Sequence, residues 1–146
     1  MQAVFGLKPG DVVEYLLEHY TVEGRATYTS ASRSWTESVL NPGIEARRLT
    51  MMLLNDRLYI GEPCHVEGTA GDGTVVADGQ QFSLESSGRA DARWVYEGGA
   101  TRFDRPTYWH YETTAGEMVE MIHGHLGQWA MHYEISDPSM FEVFGT

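Results

Sequence analysis

Polar and apolar residues alternate along most of the chain, in runs of five to nine residues broken by Gly, Pro, Asn and Asp. Alternation with period two places successive side chains on opposite faces of an extended strand, and the 3.6-residue period of a helix is almost absent. The pattern predicts strands at residues 11–17, 20–28, 34–40, 47–54, 57–62, 74–77, 81–89, 93–97, 108–113, 118–126 and 129–136. Turn chemistry falls between several of them, at Asn41-Pro42-Gly43, Asn55-Asp56, Asp78-Gly79 and Gly127-Gln128. Asp137-Pro138 has the order of an N-cap followed by the first position of a short helical turn, while residues 141–144 read equally well as a last strand.

The strands fall into two halves that resemble each other, at residues 5–67 and 73–136, with the Gly-rich stretch 68–73 between them. Gly10-Asp11-Val12-Val13, Tyr20-Thr21-Val22-Glu23 and Gly24-Arg25-Ala26 match Gly73-Thr74-Val75-Val76, Phe82-Ser83-Leu84-Glu85 and Gly88-Arg89-Ala90. A tryptophan-led strand with a glutamate follows in each, Trp35-Thr36-Glu37 and Trp109-His110-Tyr111-Glu112. The expected fold is all-β: one domain over residues 1–146, built from two diverged antiparallel meander repeats as a compact barrel or sandwich. The stretch 68–73 has no Lys-Ser/Thr pair and no helix after it, so it lacks the mechanism of a phosphate-binding loop.

Charge narrows the function classes. There are 21 acidic and 10 basic residues, Lys8 is the one lysine, and the net charge is −11. Arg47-Arg48 is the only adjacent basic pair, so nothing offsets repulsion from a phosphate backbone; nucleic acid is not an expected partner. Anionic membrane surfaces are disfavoured for the same reason, and the longest apolar cluster, 49–54, is far too short to span a bilayer. Residues 1–10 lack the features of a signal peptide, so the expected location is cytoplasmic. Cys64 has no second cysteine to pair with, and His65 beside it would point to the opposite face of a strand.

Several of these segments together resemble the bacterial domain of unknown function 4178 family (DUF4178). They are Gly10-Asp11-Val12-Val13, Trp35-Thr36-Glu37-Ser38-Val39-Leu40, the 79–84 segment, the 108–112 aromatic strand, Gly116-Glu117 and the late hairpin. The resemblance spans nearly the whole chain. It implies a β-rich fold and an accessory role in an envelope or stress system, and it brings no catalytic residue or cofactor.

Three constellations carry candidate chemistry. If Gly127-Gln128 is a two-residue hairpin turn, His123 falls opposite His132, and His123, His125, His132 and Glu134 share one face as donors for a divalent metal. Trp35, Trp109 and Tyr111 are candidates to line a small-molecule pocket. Residues 97–106 form a connection in which Arg102, Phe103 and Arg105 suit docking of a partner. Glu37 and Glu112, at matching places in the two halves, would need to lie about 5–9 Å apart to work as a carboxylate pair. The motifs of common hydrolases and zinc sites are absent. The favoured expectation is a non-catalytic accessory domain that binds a protein partner, without a cofactor. The alternatives are a small-molecule-binding β-barrel and a metal-dependent hydrolase using the histidine face. Homodimerisation through strand edges is also open.

Overall fold

The computed structural model describes residues 3–42 and 48–144. Gly43 of the Asn41-Pro42-Gly43 turn and Arg47 of the basic pair lie outside the described residues. The strands are β1 (Val12–Tyr15), β2 (Glu18–Ser30), β3 (Ser34–Asn41), β4 (Leu49–Leu54), β5 (Arg57–Pro63), β6 (Val66–Glu67) and β7 (Thr74–Ala77). They continue with β8 (Gln80–Tyr96), β9 (Thr101–Asp104), β10 (Thr107–Glu112), β11 (Met118–Gly124), β12 (Gly127–Ser136) and β13 (Phe141–Phe144). Two short 3-10 turns, Ala3–Gly6 and Pro138–Met140, complete the chain, with no α-helix among the described residues.

Eight strands close into an antiparallel barrel in the order β2-β3-β4-β5-β12-β11-β10-β8, with β8 returning to β2. The wall is thus two four-stranded meanders joined at two seams, β5–β12 and β2–β8. A barrel rather than a sandwich results because β8 is long enough to pair with β10 along residues 83–89 and with β2 along 90–96.

Eight strands enclose a volume that side chains just fill. The inward positions carry Tyr28, Trp35, Met52, Tyr59, Trp94, Tyr108, Met118, Ile122, Met131 and Tyr133, offset by small Ala26, Ala90 and Ala92. Tyr28 stacks flat on its cross-strand partner Trp35 at 4.9 Å between centroids. Gly61 faces Tyr133, and a Cβ there would be driven into the phenol ring.

Two outlying leaflets cover parts of the outer wall. On one side Leu7, Val13, Tyr20 and Val22, with Phe141 and Val143, pack on Leu40, Leu49, Met51 and Leu58. On the other, Val75, Ala77 and Phe82 pack on Tyr111 and Val119. Covered on both faces, β4 reads Leu-Thr-Met-Met-Leu-Leu, a nearly continuous apolar run.

Three expectations are corrected. The segments 81–89 and 93–97 are one strand, β8, because the extended backbone runs through Gly88 to Asp91 with Ala90 buried. The β11–β12 hairpin turns at His125-Leu126: Gly124 pairs with Gly127, and His132 lies opposite Val119 instead of His123. The 97–106 connection contains a short hairpin strand, β9, laid against β8. At the C-terminal end both readings of the sequence coexist, since Asp137 caps the turn at Ser139 N (2.9 Å) and β13 follows.

Candidate functional site

Inward positions on three strands hold polar groups in an otherwise aromatic interior. Alternation puts Glu37 in line with Trp35 on β3, His110 with Tyr108 on β10, and Glu120 with Met118 and Ile122 on β11; all three are essentially without exposure. His110 and Glu120 are cross-strand partners, with His110 Nε2 2.8 Å from Glu120 Oε2. Arg33, in the turn between β2 and β3, reaches His110 Nδ1 at 3.1 Å. A guanidinium can only donate, so Nδ1 is the acceptor and the ring proton sits on Nε2, donated to Glu120. The Glu37 carboxyl accepts from Trp35 Nε1 at 2.9 Å and lies within hydrogen-bonding reach of Glu120. A polar chain therefore runs Arg33–His110–Glu120–Glu37 through the barrel.

Burial decides the protonation of this chain. Loss of solvent, then the neighbouring Glu120, raises the Glu37 pKa well above the carboxylate range, and burial raises that of Glu120 as well. Two like charges so close inside a low-dielectric interior cannot both persist, so the pair retains a proton at neutral pH. His110 is pushed down to about 3 by burial and by the Arg33 charge, and stays neutral. Glu120 Oε1 and the hydroxyls of Tyr28 and Tyr133 are buried without a hydrogen-bond partner, with Tyr28 beside the Trp94 side chain but short of a bond. Such groups normally find a partner or a water.

The chain opens at one mouth. Strand directions place Arg33 at the end holding the β2–β3 turn and the β11–β12 turn at the opposite end. There a recess of about 290 Å³ is lined by Trp94, Tyr96, Leu126, Trp129, Met131, Thr50 and Glu37. Trp94 and Tyr96 stack at 5.9 Å. Asp104 fixes the lip: its carboxylate accepts from the backbone N–H of His125 and of Leu126, both at 3.1 Å, which lowers its pKa against the opposing effect of burial.

A second cleft, about 750 Å³, lies outside the wall over the β5–β12 seam, between the two leaflets. Its lining includes Tyr15, Tyr20, Ile60 and Pro63 with Glu18, Glu62, Asp78, Glu117, His132 and Glu134. Here the structure brings two of the four histidine-face residues together, His132 and Glu134, and adds Glu117. His132 meets Asp78 through Nδ1 at 2.6 Å and Glu117 through Nε2 at 2.8 Å. Burial opposes the His132 charge, but these two hydrogen bonds outweigh it and the pKa is raised. The shifted hairpin register leaves His123 on Gln128 at 3.2 Å and His125 in the turn, away from this group.

Trp35 lies inside the barrel, whereas Trp109 and Tyr111 lie outside it beneath the β6–β7 hairpin. They do not share a pocket: Tyr108 and His110 take the inward positions of β10, and plain alternation along this regularly paired strand turns Trp109 and Tyr111 outward. Tyr111 instead holds the Gly-rich segment, donating to Asp72 O at 2.8 Å and accepting from Gly71 N at 3.0 Å. On β9, Phe103 is 69% exposed, and Arg105 reaches Asp91 at 3.6 Å. The Cys64 thiol, pushed up to about 11 by burial and by Asp78, remains protonated at neutral pH. Arg33, His110 and Glu120 were missed from the sequence although a signal existed, since a charged Glu120 between Met118 and Ile122 sits at an inward position by parity.

Comparison with curated proteins and with solved structures finds no match. One family model does match, over residues 8–137, and covers every wall strand of the barrel. The chain belongs to the family described as domain of unknown function (DUF4178).

Proposed function

We propose that the protein is a non-enzymatic binding barrel whose mouth recess receives the cationic head of a small organic molecule. The observation that carries this reading is Glu37, buried in the wall yet among the lining residues of a recess whose other residues, Thr50 apart, are aromatic or apolar. Indole and phenol faces attract an ammonium group, by about 0.5–2 kcal/mol depending on desolvation. The carboxyl pair beneath offers a complementary charge, since a bound cation would replace the proton that the pair otherwise keeps. The net charge of −11 favours the approach of cations. At about 290 Å³ the recess is at the lower limit of pockets for drug-sized ligands, roughly 300 Å³, and suits a head group rather than a whole large ligand.

The test is titration of tryptophan fluorescence with primary and quaternary ammonium compounds, since Trp94 and Trp129 line the recess. Saturable quenching is expected, weakened at least tenfold in Glu37→Gln. Absence of saturation across the panel, or equal affinity in the variant, would overturn the reading.

A protein partner is the second reading, favoured by the exposed Phe103 on β9, a strand that pairs only with β8 among the described residues. Strand addition along β9 would place Phe103 against the partner. Limited labelling of the intact protein in its native extract should protect Phe103-adjacent residues, and Phe103→Asp should abolish that protection while recess binding persists; unchanged labelling would exclude this docking edge.

A further inference from the structure

We propose that Glu117, His132 and Glu134 form a binding site for a divalent transition-metal ion, with Asp78 holding the imidazole in the ligating orientation. This site lies on the outer wall and does not depend on the recess reading. His132 and Glu134 are two residues apart on β12 and so share its outward face. Glu117 directly precedes β11 and is brought alongside because Met118 pairs with Tyr133. The result is one imidazole nitrogen and two carboxylates whose donor atoms all lie within 4.8 Å of one another.

The placement of His132 resembles that of a ligand more than that of an ordinary surface histidine. Metal-bound histidines characteristically give their second ring N–H to a carboxylate, which fixes the tautomer and the ring plane. Here Asp78 occupies that role on Nδ1 at 2.6 Å. It is held there by the tight Asp78-Gly79 turn, whose two residues both have positive φ, 49° and 76°. Phe82 meets the ring edge-on at 5.4 Å and limits its rotation. Nε2 is thereby aimed at Glu117. Donors placed tetrahedrally at about 2.0–2.2 Å from an ion lie roughly 3.3–3.6 Å apart. The 2.8 Å separation of Nε2 and Glu117 Oε1 has to widen from its hydrogen-bonded value, and the exposed Glu134 side chain is the arm that would swing in. A mixed nitrogen and oxygen set suits Zn²⁺ or Mn²⁺ better than Mg²⁺ or Ca²⁺, which prefer oxygen alone. Glu18 and Glu62 in the same cleft add to the negative field that draws a cation there.

The competing account is a protonated His132 bridging Asp78 and Glu117, with no ion. Equilibrium dialysis of metal-free protein against Zn²⁺, Mn²⁺ or Mg²⁺, each alone, separates the two when retained metal is measured by elemental analysis. One Zn²⁺ or Mn²⁺ per chain is expected, with Mg²⁺ not retained at the same concentration. Glu134→Gln should weaken retention at least tenfold, and Asp78→Asn by about 10–100-fold. Thermal melting of each variant checks that it folds, and Zn²⁺ should raise the melting temperature of the native protein but not of Glu134→Gln. Substoichiometric retention, equal retention of Mg²⁺, or retention unchanged in Glu134→Gln would overturn the proposal.

Discussion

Glu37, Glu120 and His110 sit in one interior and push the stability of the protein in opposite directions as pH changes. Both carboxyl groups titrate above their ordinary 4.5 because burial disfavours their charge. Their contribution to stability is therefore complete below 4.5, where folded and unfolded chains are both protonated, and is lost as pH rises through the higher folded values. His110 works the other way. Its folded value of about 3 lies below the ordinary 6.5, so its contribution is present above 6.5 and lost as pH falls towards 3. Glu37→Gln removes one titrating group and its repulsion of Glu120. The variant should gain on the native protein as pH rises from about 5 to 8, with a slope of at most about 1.4 kcal/mol per pH unit for the one proton involved. Denaturant unfolding of both proteins across that range is the measurement, and parallel stability curves would show that Glu37 does not carry the shifted proton.

At the scale of strands, the barrel depends on a few positions where one element admits another. Gly61 on β5 is one, since it leaves the space that the Tyr133 ring on β12 occupies at the seam between the meanders. Gly61→Ala should cost about 1–3 kcal/mol, as overpacking of a filled core does, read as a lowered denaturant midpoint; an unchanged midpoint would mean that Tyr133 has another place to go. Alternation made the wall strands and their inward faces legible, because period two is a property of each strand by itself. Trp35, Met131 and Tyr133 point inward as their parity requires. The partner of each strand was less legible. The β11–β12 register moved four residues, an even number, so Ile122 and Trp129 kept their inward face while His123 lost His132 as its neighbour. Gly127-Gln128 carries the usual turn residues, yet the chain turns at His125-Leu126, where Asp104 of β9 supplies the hydrogen bonds. That anchor is remote in sequence, and no local pattern announces it. The same holds for Glu117 and Asp78, which join His132 only after folding.

For the molecule as a whole, closure explains how one chain carries two separate clefts. The interior chain ends in the recess at one mouth, while the cleft with His132 lies on the outer wall. Closure also bears on behaviour at high concentration. A barrel wall offers no row of unpaired backbone groups, so among the described residues growth of the sheet by a further copy can begin only at β6, β9 and β13. Those strands are two, four and four residues long, and short edges are poor templates for aggregation. Together with a net charge of −11 that repels like copies, these short edges should hold down fibrous self-assembly of a chain so rich in strands.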